Sequence, residues 1–136
     1  QLVKLIEHAE QVTAANTRMR LQIAFNYGAR EEIAEAAARL AVRVAKGELD
    51  AANITPDQVD AELSTQGLPD PDLVIRTSGE NRLSNFLLWQ CAYSEFYFTD
   101  VLWPDFDAAN LHAALQAFHR RERRFGRVEP ALGKTD

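Results

Sequence analysis

DLVIRTSGENRLSN, spanning Asp72 to Asn85, begins as a strand and ends as a polar loop. Its first residues form a short apolar run that closes on charge at Arg76, the pattern of a buried strand. Gly79 follows, where the backbone can turn tightly or come close to a ligand. Arg76 and Arg82 bracket the loop, and Ser84 sits at its far side. In open α/β sheets, ligands gather beyond the carboxyl ends of the strands, and Arg76 stands at such an end. With residues 82–84 extended, Arg82 and Ser84 point the same way, because side chains alternate along a strand. Ser84 also reads as the cap of a helix through NFLLWQCAY, whose free first amides would donate to an anion. Two guanidinium forks, a hydroxyl and helix amides make a good receptor for phosphate or diphosphate. A plainer reading stays open, in which the arginines are solvated or salt-bridged and Ser84 only caps. No spacing here matches a Walker loop or a dinucleotide fingerprint.

Working outward, strands alternate with helices. RMRLQIAFNYG is rich in strand formers and closes on Gly28, which predicts a strand over about Met19 to Asn26. REEIAEAAARLAVRVAKG predicts a helix with an apolar stripe of Ile33, Ala37, Leu40 and Val44, glutamates at its positive end and a stop at Gly47. TPDQVDAEL supplies Thr55 as N-cap, Pro56 at the first helical position and Gln58 to complete a capping box. STQGLPDP is a loop. EFYFTDVLW predicts a strand over Phe96 to Thr99, WPDF a turn, and Asp107 the cap of a last helix running through Leu111, Leu115 and Phe118 to Phe125. The expected fold is therefore α/β, a mostly parallel sheet flanked by helices.

Composition narrows the function classes. The chain has 136 residues, 46% hydrophobic and 26% charged, enough for one domain with an apolar core. A formal net charge of −5 argues against general nucleic-acid binding, although RRERR (Arg120–Arg124) concentrates basic residues. The single cysteine, Cys91, excludes an internal disulfide and fits a reducing, cytoplasmic setting. No apolar run approaches the roughly 20 residues that span a bilayer, and no secretory pattern is visible. QLVKLIEHAEQVTAAN opens in mid-helix without an initiator methionine, so the chain reads as part of a longer protein.

The string DLVIRTSGENRLSNFLLWQCAYSEFYFTDVLWPDF, with RERRFG behind it and IAFNYGAREEI ahead, resembles the C-terminal half of a cis-prenyltransferase (isoprenyl transferase). The likeness is closest to the bacterial undecaprenyl diphosphate synthase branch and covers nearly the whole chain. The resemblance implies a homodimeric enzyme that adds isopentenyl diphosphate units to farnesyl diphosphate with Mg²⁺, making a lipid carrier for cell-wall synthesis. Contact with the membrane through the lipid product would follow. Alternatives of the same kind are a synthase of different product length and a non-catalytic subunit of a heteromeric enzyme.

Residue by residue, the resemblance implies that Arg76, Arg82, Leu83 and Ser84 hold the diphosphate of isopentenyl diphosphate. It makes Glu95 a Mg²⁺ ligand, and it makes Arg124 and Gly126 an element reaching across the dimer to the partner's site. Residues 1–136 would be the C-terminal portion of one catalytic domain. The family's "DGNGRWA"-like loop with its catalytic aspartate has no counterpart in this stretch, so the segment alone is expected to be inactive. Ala29 replaces a glycine common in the "NYGGR" block, which predicts a less permissive turn, and Asn81 stands where glutamine or histidine is frequent. His112 and His119 read as surface residues, Trp89, Tyr93 and Trp103 as core and interface aromatics, and Cys91 as a packed small hydrophobe.

Overall fold

Alanine and glutamate, both strong helix formers, dominate the segment that builds helix α2, Ala29–Ala45. The computed structural model describes residues 1–121. Glu31 and Glu32 occupy the first turn of α2 and Arg43 the last, each at the end whose partial charge favours it. Gly47 takes φ +74°, donating to Val44 O at 2.9 Å while Glu48 N donates to Arg43 O at 3.0 Å. That pair is a Schellman motif, and a positive φ is cheapest at glycine.

The rest of the chain order is α1 (Leu2–Thr13), then α2, α3 (Pro56–Asp60), β1 (Leu73–Arg76), β2 (Glu95–Phe98) and α4 (Ala108–His119). A short 3₁₀ turn, Ala51–Asn53, joins α2 to α3, and another, Trp103–Asp105, leads into α4. Thr55 and Gln58 form the expected capping box on α3, with Thr55 N–H donating to Gln58 Oε1 at 3.0 Å. Asp107 caps α4 through Asn110 N–H at 3.0 Å. α4 ends at His119 with Arg120 as its C-cap, short of the expected run to Phe125, of which residues 122–125 lie outside the described residues.

β1 and β2 pair in parallel, in the register Leu73↔Glu95 through Arg76↔Phe98. α4 packs on β2 and α2 against α3, giving the expected α/β arrangement of a parallel sheet flanked by helices. Among the described residues the buried apolar side chains are Ala29, Ala36, Leu40, Leu63, Cys91 and Ala114.

Three local expectations fail. Residues 19–26 form no strand, and Met19, Leu21, Ile23 and Phe25 are exposed. A strand needs a neighbour to take its backbone hydrogen bonds, and among the described residues the sheet is β1 and β2 alone. The helix expected from Ser84 through Tyr93 is a series of turns instead. Ser84, Asn85 and Leu87 have φ of 52°, 63° and 45°, in the left-handed region that a right-handed helix cannot include. The buried face of α2 is Ala29, Glu32, Ala36 and Leu40, so the stripe of Ile33, Ala37 and Val44 lies to one side. That stripe lines an apolar groove of about 450 Å³ with Ile54, Val59 and Trp89.

Candidate functional site

The parallel ladder fixes where charge can gather. Arg76 closes β1, so it stands at the carboxyl end of the sheet, half-buried. Its Nε is enclosed by protein and has no hydrogen-bond partner. A buried N–H without an acceptor costs free energy, and in native structures such groups call for an explanation. An anion seated at the strand end would neutralise the Arg76 guanidinium, whose enclosed Nε the protein leaves unpaired.

The loop beyond Arg76 is shaped by two left-handed residues, Ser78 (φ 68°) and Gly79 (φ 70°). Ser78 N–H donates to Val101 O at 2.9 Å and Gly79 N–H to Thr99 O at 3.0 Å, pinning the loop to the end of β2. These two amides are spent on the fold, and the charged donors the loop holds for an anion are the guanidinium groups of Arg76 and Arg82. Gly79 is also crowded, since a Cβ there would lie 3.2 Å from Asp100 Oδ1.

Arg82 is 73% exposed and pairs with Glu80 at 2.7 Å. An exposed pair of this kind contributes about 0–1 kcal/mol, so an incoming diphosphate can displace Glu80 at small cost. Leu83 is half-buried and Ser84 exposed. The alternation argument for Arg82 and Ser84 does not apply, because φ of 52° takes Ser84 out of extended backbone. No helix begins at Ser84, so the expected helix amides are absent from this loop. Asn81 is exposed in the same loop.

Glu95 begins β2, at the opposite end of the ladder from Arg76. The register puts three residues between the two levels, about 10 Å along the strands. Its carboxylate is bonded to Arg121 at 2.7 Å. Among the described residues no group of three or more His, Cys, Asp or Glu side chains is arranged to hold a metal ion. Glu95 therefore offers one hard oxygen donor, which suits a cation that draws its other ligands from phosphate and water. Arg124 and Gly126 lie outside the described residues.

Two features went unpredicted, and both hold the loop in place. Asn85 grips the first turn of α2: its carbonyl accepts from Ala29 N–H at 2.9 Å and its Oδ1 from Arg30 N–H at 2.9 Å. Its Nδ2 donates to Glu31 Oε2 at 2.9 Å. Glu31 is held below the usual carboxylate range, chiefly by that bond from Asn85. The signal in the sequence was Asn85 itself, a residue that tolerates the left-handed conformation better than most.

The second feature is Glu32, a buried carboxylate in phase with Ala29, Ala36 and Leu40. It accepts from Tyr27 OH at 2.6 Å, Ser64 N–H at 2.8 Å, Ser64 Oγ, and Gln90 Nε2 at 3.2 Å. Burial favours its neutral form, yet the hydrogen bonds from Ser64, Tyr27 and Gln90 outweigh burial and hold it below the usual range. Burial, with the bond to Glu32, pushes the Tyr27 phenol far above its ordinary value. Gln90 also donates to Thr65 Oγ1 at 3.0 Å, so the network ties the 84–94 turns to α2 and to the loop after α3.

The acidic cavity of about 480 Å³ beside this network, lined by Glu31, Glu32, Glu35 and Glu62, is unsuited to a diphosphate. Ala29, the residue expected to make its turn less permissive, is fully buried as the first residue of α2, where helical backbone accommodates its side chain. Cys91 is buried and its thiol pushed up, first by burial, as a packed small hydrophobe. Trp89 is half-buried and bonded to Asp60, whereas Tyr93 and Trp103 are exposed rather than core. His112 and His119 lie on the surface of α4. Among the described residues no helix is long and apolar enough to cross a membrane.

The prenyltransferase family model described as undecaprenyl diphosphate synthase matches residues 1–126. An isoprenyl transferase of Agrobacterium fabrum is 57% identical over 122 residues, which is 90% of this chain and 49% of that protein. A ditrans,polycis-undecaprenyl-diphosphate synthase ((2E,6E)-farnesyl-diphosphate specific) of Haemophilus ducreyi is 52% identical over 128 residues, 94% of this chain and 53% of that protein. The chain spans about half the length of the curated relatives it matches. The crystal structure of lavandulyl diphosphate synthase from Lavandula x intermedia with dimethylallyl diphosphate superimposes with a TM-score of 0.88 at 44% identity. It covers 93% of this chain and 54% of its own.

Proposed function

Because the chain belongs to the undecaprenyl diphosphate synthase family of prenyltransferases, we propose that it seats the diphosphate of isopentenyl diphosphate in a cis-prenyltransferase. The allylic partner would be farnesyl diphosphate, and residues 1–136 the C-terminal portion of one catalytic domain. The observation that carries this reading is Arg76, a strand-end guanidinium whose buried Nε lacks an acceptor. Arg82, exposed on the adjoining loop and paired with Glu80, adds a second fork. Leu83 and Ser84 complete the loop that would close over the diphosphate.

The reaction moves an electron pair from the double bond of isopentenyl diphosphate to the allylic carbon of farnesyl diphosphate. The allylic C–O bond breaks, diphosphate leaves with its electron pair, and a proton is then lost from the condensed product. The residues present here do none of the bond-breaking. They neutralise the nucleophilic substrate's charge and fix its distance and angle, which is a large part of what a bimolecular reaction needs. Mg²⁺, when bound, would neutralise diphosphate oxygens, and Glu95 would hold it after releasing Arg121. Because Glu95 stands at the far end of the strands from Arg76, that ion would not rest on a diphosphate seated against Arg76 of the same chain. Homodimer formation with Arg124 and Gly126 at the partner's site, a cytoplasmic location with membrane contact through the product, and a role in cell-wall lipid supply belong to the same proposal.

A second reading, a synthase of a different prenyl product, is favoured by the 0.88 match to a lavandulyl diphosphate synthase. Chain-length analysis of the product of the full-length enzyme separates the two. The seat itself is tested by Arg76→Ala and Arg82→Ala. Each should raise KM for isopentenyl diphosphate about 10- to 100-fold, since a charged hydrogen bond is worth roughly 1.5–3 kcal/mol. KM for farnesyl diphosphate should change far less, and equal losses for both substrates would count against the assignment.

A further inference from the structure

Asn85 follows directly after the loop that carries Arg82 and Ser84, and it is bonded to a helix more than fifty residues upstream. Its carbonyl and Oδ1 accept the first two amides of α2, and its Nδ2 donates to Glu31. Gly28, the residue before α2, lies under this contact. A Cβ there would collide with Glu31 Oε2 and sit 2.9 Å from Asn85 Nδ2. Gly28 has φ −141°, so glycine serves here by its small size and not by a left-handed backbone. The contact is thus bounded on three sides: the helix amides, the carboxylate, and a residue with no side chain.

We propose that Asn85, clamped between the α2 amides and Glu31, is a positioning residue that sets Arg82 and Ser84 for the diphosphate without touching it. The proposal rests on the diphosphate-seat reading above. Asn85 and Ser84 both have positive φ, so the loop reverses sharply at this point. Freeing the Asn85 side chain would let that reversal relax and carry the neighbouring serine and arginine with it. The side-chain amide of Asn85 can also be inverted in its donor role. The substitution Asn85→Asp would keep the acceptor for Arg30 N–H but would face Glu31 with a second carboxylate. Replacing Glu31 with glutamine then returns a donor to the pair, with its direction reversed.

The experiment measures steady-state kinetics of the full-length enzyme carrying Asn85→Asp, Glu31→Gln, both together, and Gly28→Ala, with Arg82→Ala as reference. Asn85→Asp should raise KM for isopentenyl diphosphate about tenfold and leave KM for farnesyl diphosphate nearly unchanged. Glu31→Gln alone should have a small effect, since its amide oxygen still accepts from Asn85. The double variant should recover most of the loss. Gly28→Ala, which pushes the same two side chains apart by another route, should reproduce the selective defect. The inference is overturned if Arg82→Ala shows the selective KM rise while Asn85→Asp and Gly28→Ala do not. It is overturned equally if the variants lose melting temperature and affinity for both substrates together and the double variant brings no rescue. If Arg82→Ala itself leaves KM for isopentenyl diphosphate unchanged, the seat reading fails and this inference falls with it.

Discussion

Removing the Glu32 carboxylate should be the most damaging single change to stability among the polar residues described. Four donors converge on it: Tyr27 OH, Ser64 N–H, Ser64 Oγ and Gln90 Nε2. In Glu32→Ala, the Tyr27 and Ser64 hydroxyls can rotate toward water, and Gln90 keeps Thr65. The Ser64 amide cannot turn away, so it is left without its charged acceptor, a loss of roughly 1.5–3 kcal/mol. The weakened bonds of the other three donors bring the expected total to about 3–5 kcal/mol. Against a total stability of about 5–15 kcal/mol, that is a large fraction. Glu32→Gln keeps the shape and one acceptor and should cost less.

Acidity supplies the second axis of this test. Glu32 titrates below its ordinary value in the folded protein, so its contribution is present above the unfolded carboxylate value, about 4.3. That contribution is lost as pH falls through the lower folded value. Urea unfolding of the full-length enzyme from pH 7 down to pH 3 should therefore show the gap between wild type and Glu32→Gln narrowing in acid. A Glu32→Ala variant within about 0.5 kcal/mol of wild type at pH 7 would refute the reasoning. So would a gap that widens as pH falls.

Glu95→Gln should raise the Mg²⁺ concentration needed for half-maximal rate, and Arg121→Ala, which removes the competing cation, should lower it. Identical Mg²⁺ titrations in all three proteins would return Glu95 to a simple ion pair. Residues 1–136 expressed alone should incorporate no labelled isopentenyl diphosphate into lipid, and robust incorporation would mean that catalysis resides in this stretch. The same protein should be poorly soluble or self-associated, because among the described residues the sheet has two strands with open edges, and Met19, Leu21, Ile23 and Phe25 are exposed. A monodisperse monomer on size exclusion would contradict that expectation.

What was legible in the sequence follows the range of the interactions involved. Gly47, the Thr55 capping box and the Asp107 cap act within a few residues, and each does in the structure what its local chemistry dictates. β1 and β2 lie within a residue of their expected places, because short apolar runs bounded by turns leave few alternatives. The strand at 19–26 was not legible as absent, since its alternating pattern is sound and what undoes it is the lack of a neighbour among the described residues. The turns at 84–94 were not legible either, and the reason lies in one pair of residues. Ser84 and Asn85 both carry an oxygen that can satisfy an orphan helix amide, and a local reading hands that task to Ser84 on the segment that follows. The structure gives it to Asn85, on α2. A clue stood elsewhere in the chain: α2 starts after Gly28, an N-cap with no side chain to accept from the first turn. Those amides take their acceptors from water or from another part of the fold. In this chain what docks is the end of the arginine loop, so the residue that completes α2 is also the one that shapes the candidate diphosphate seat.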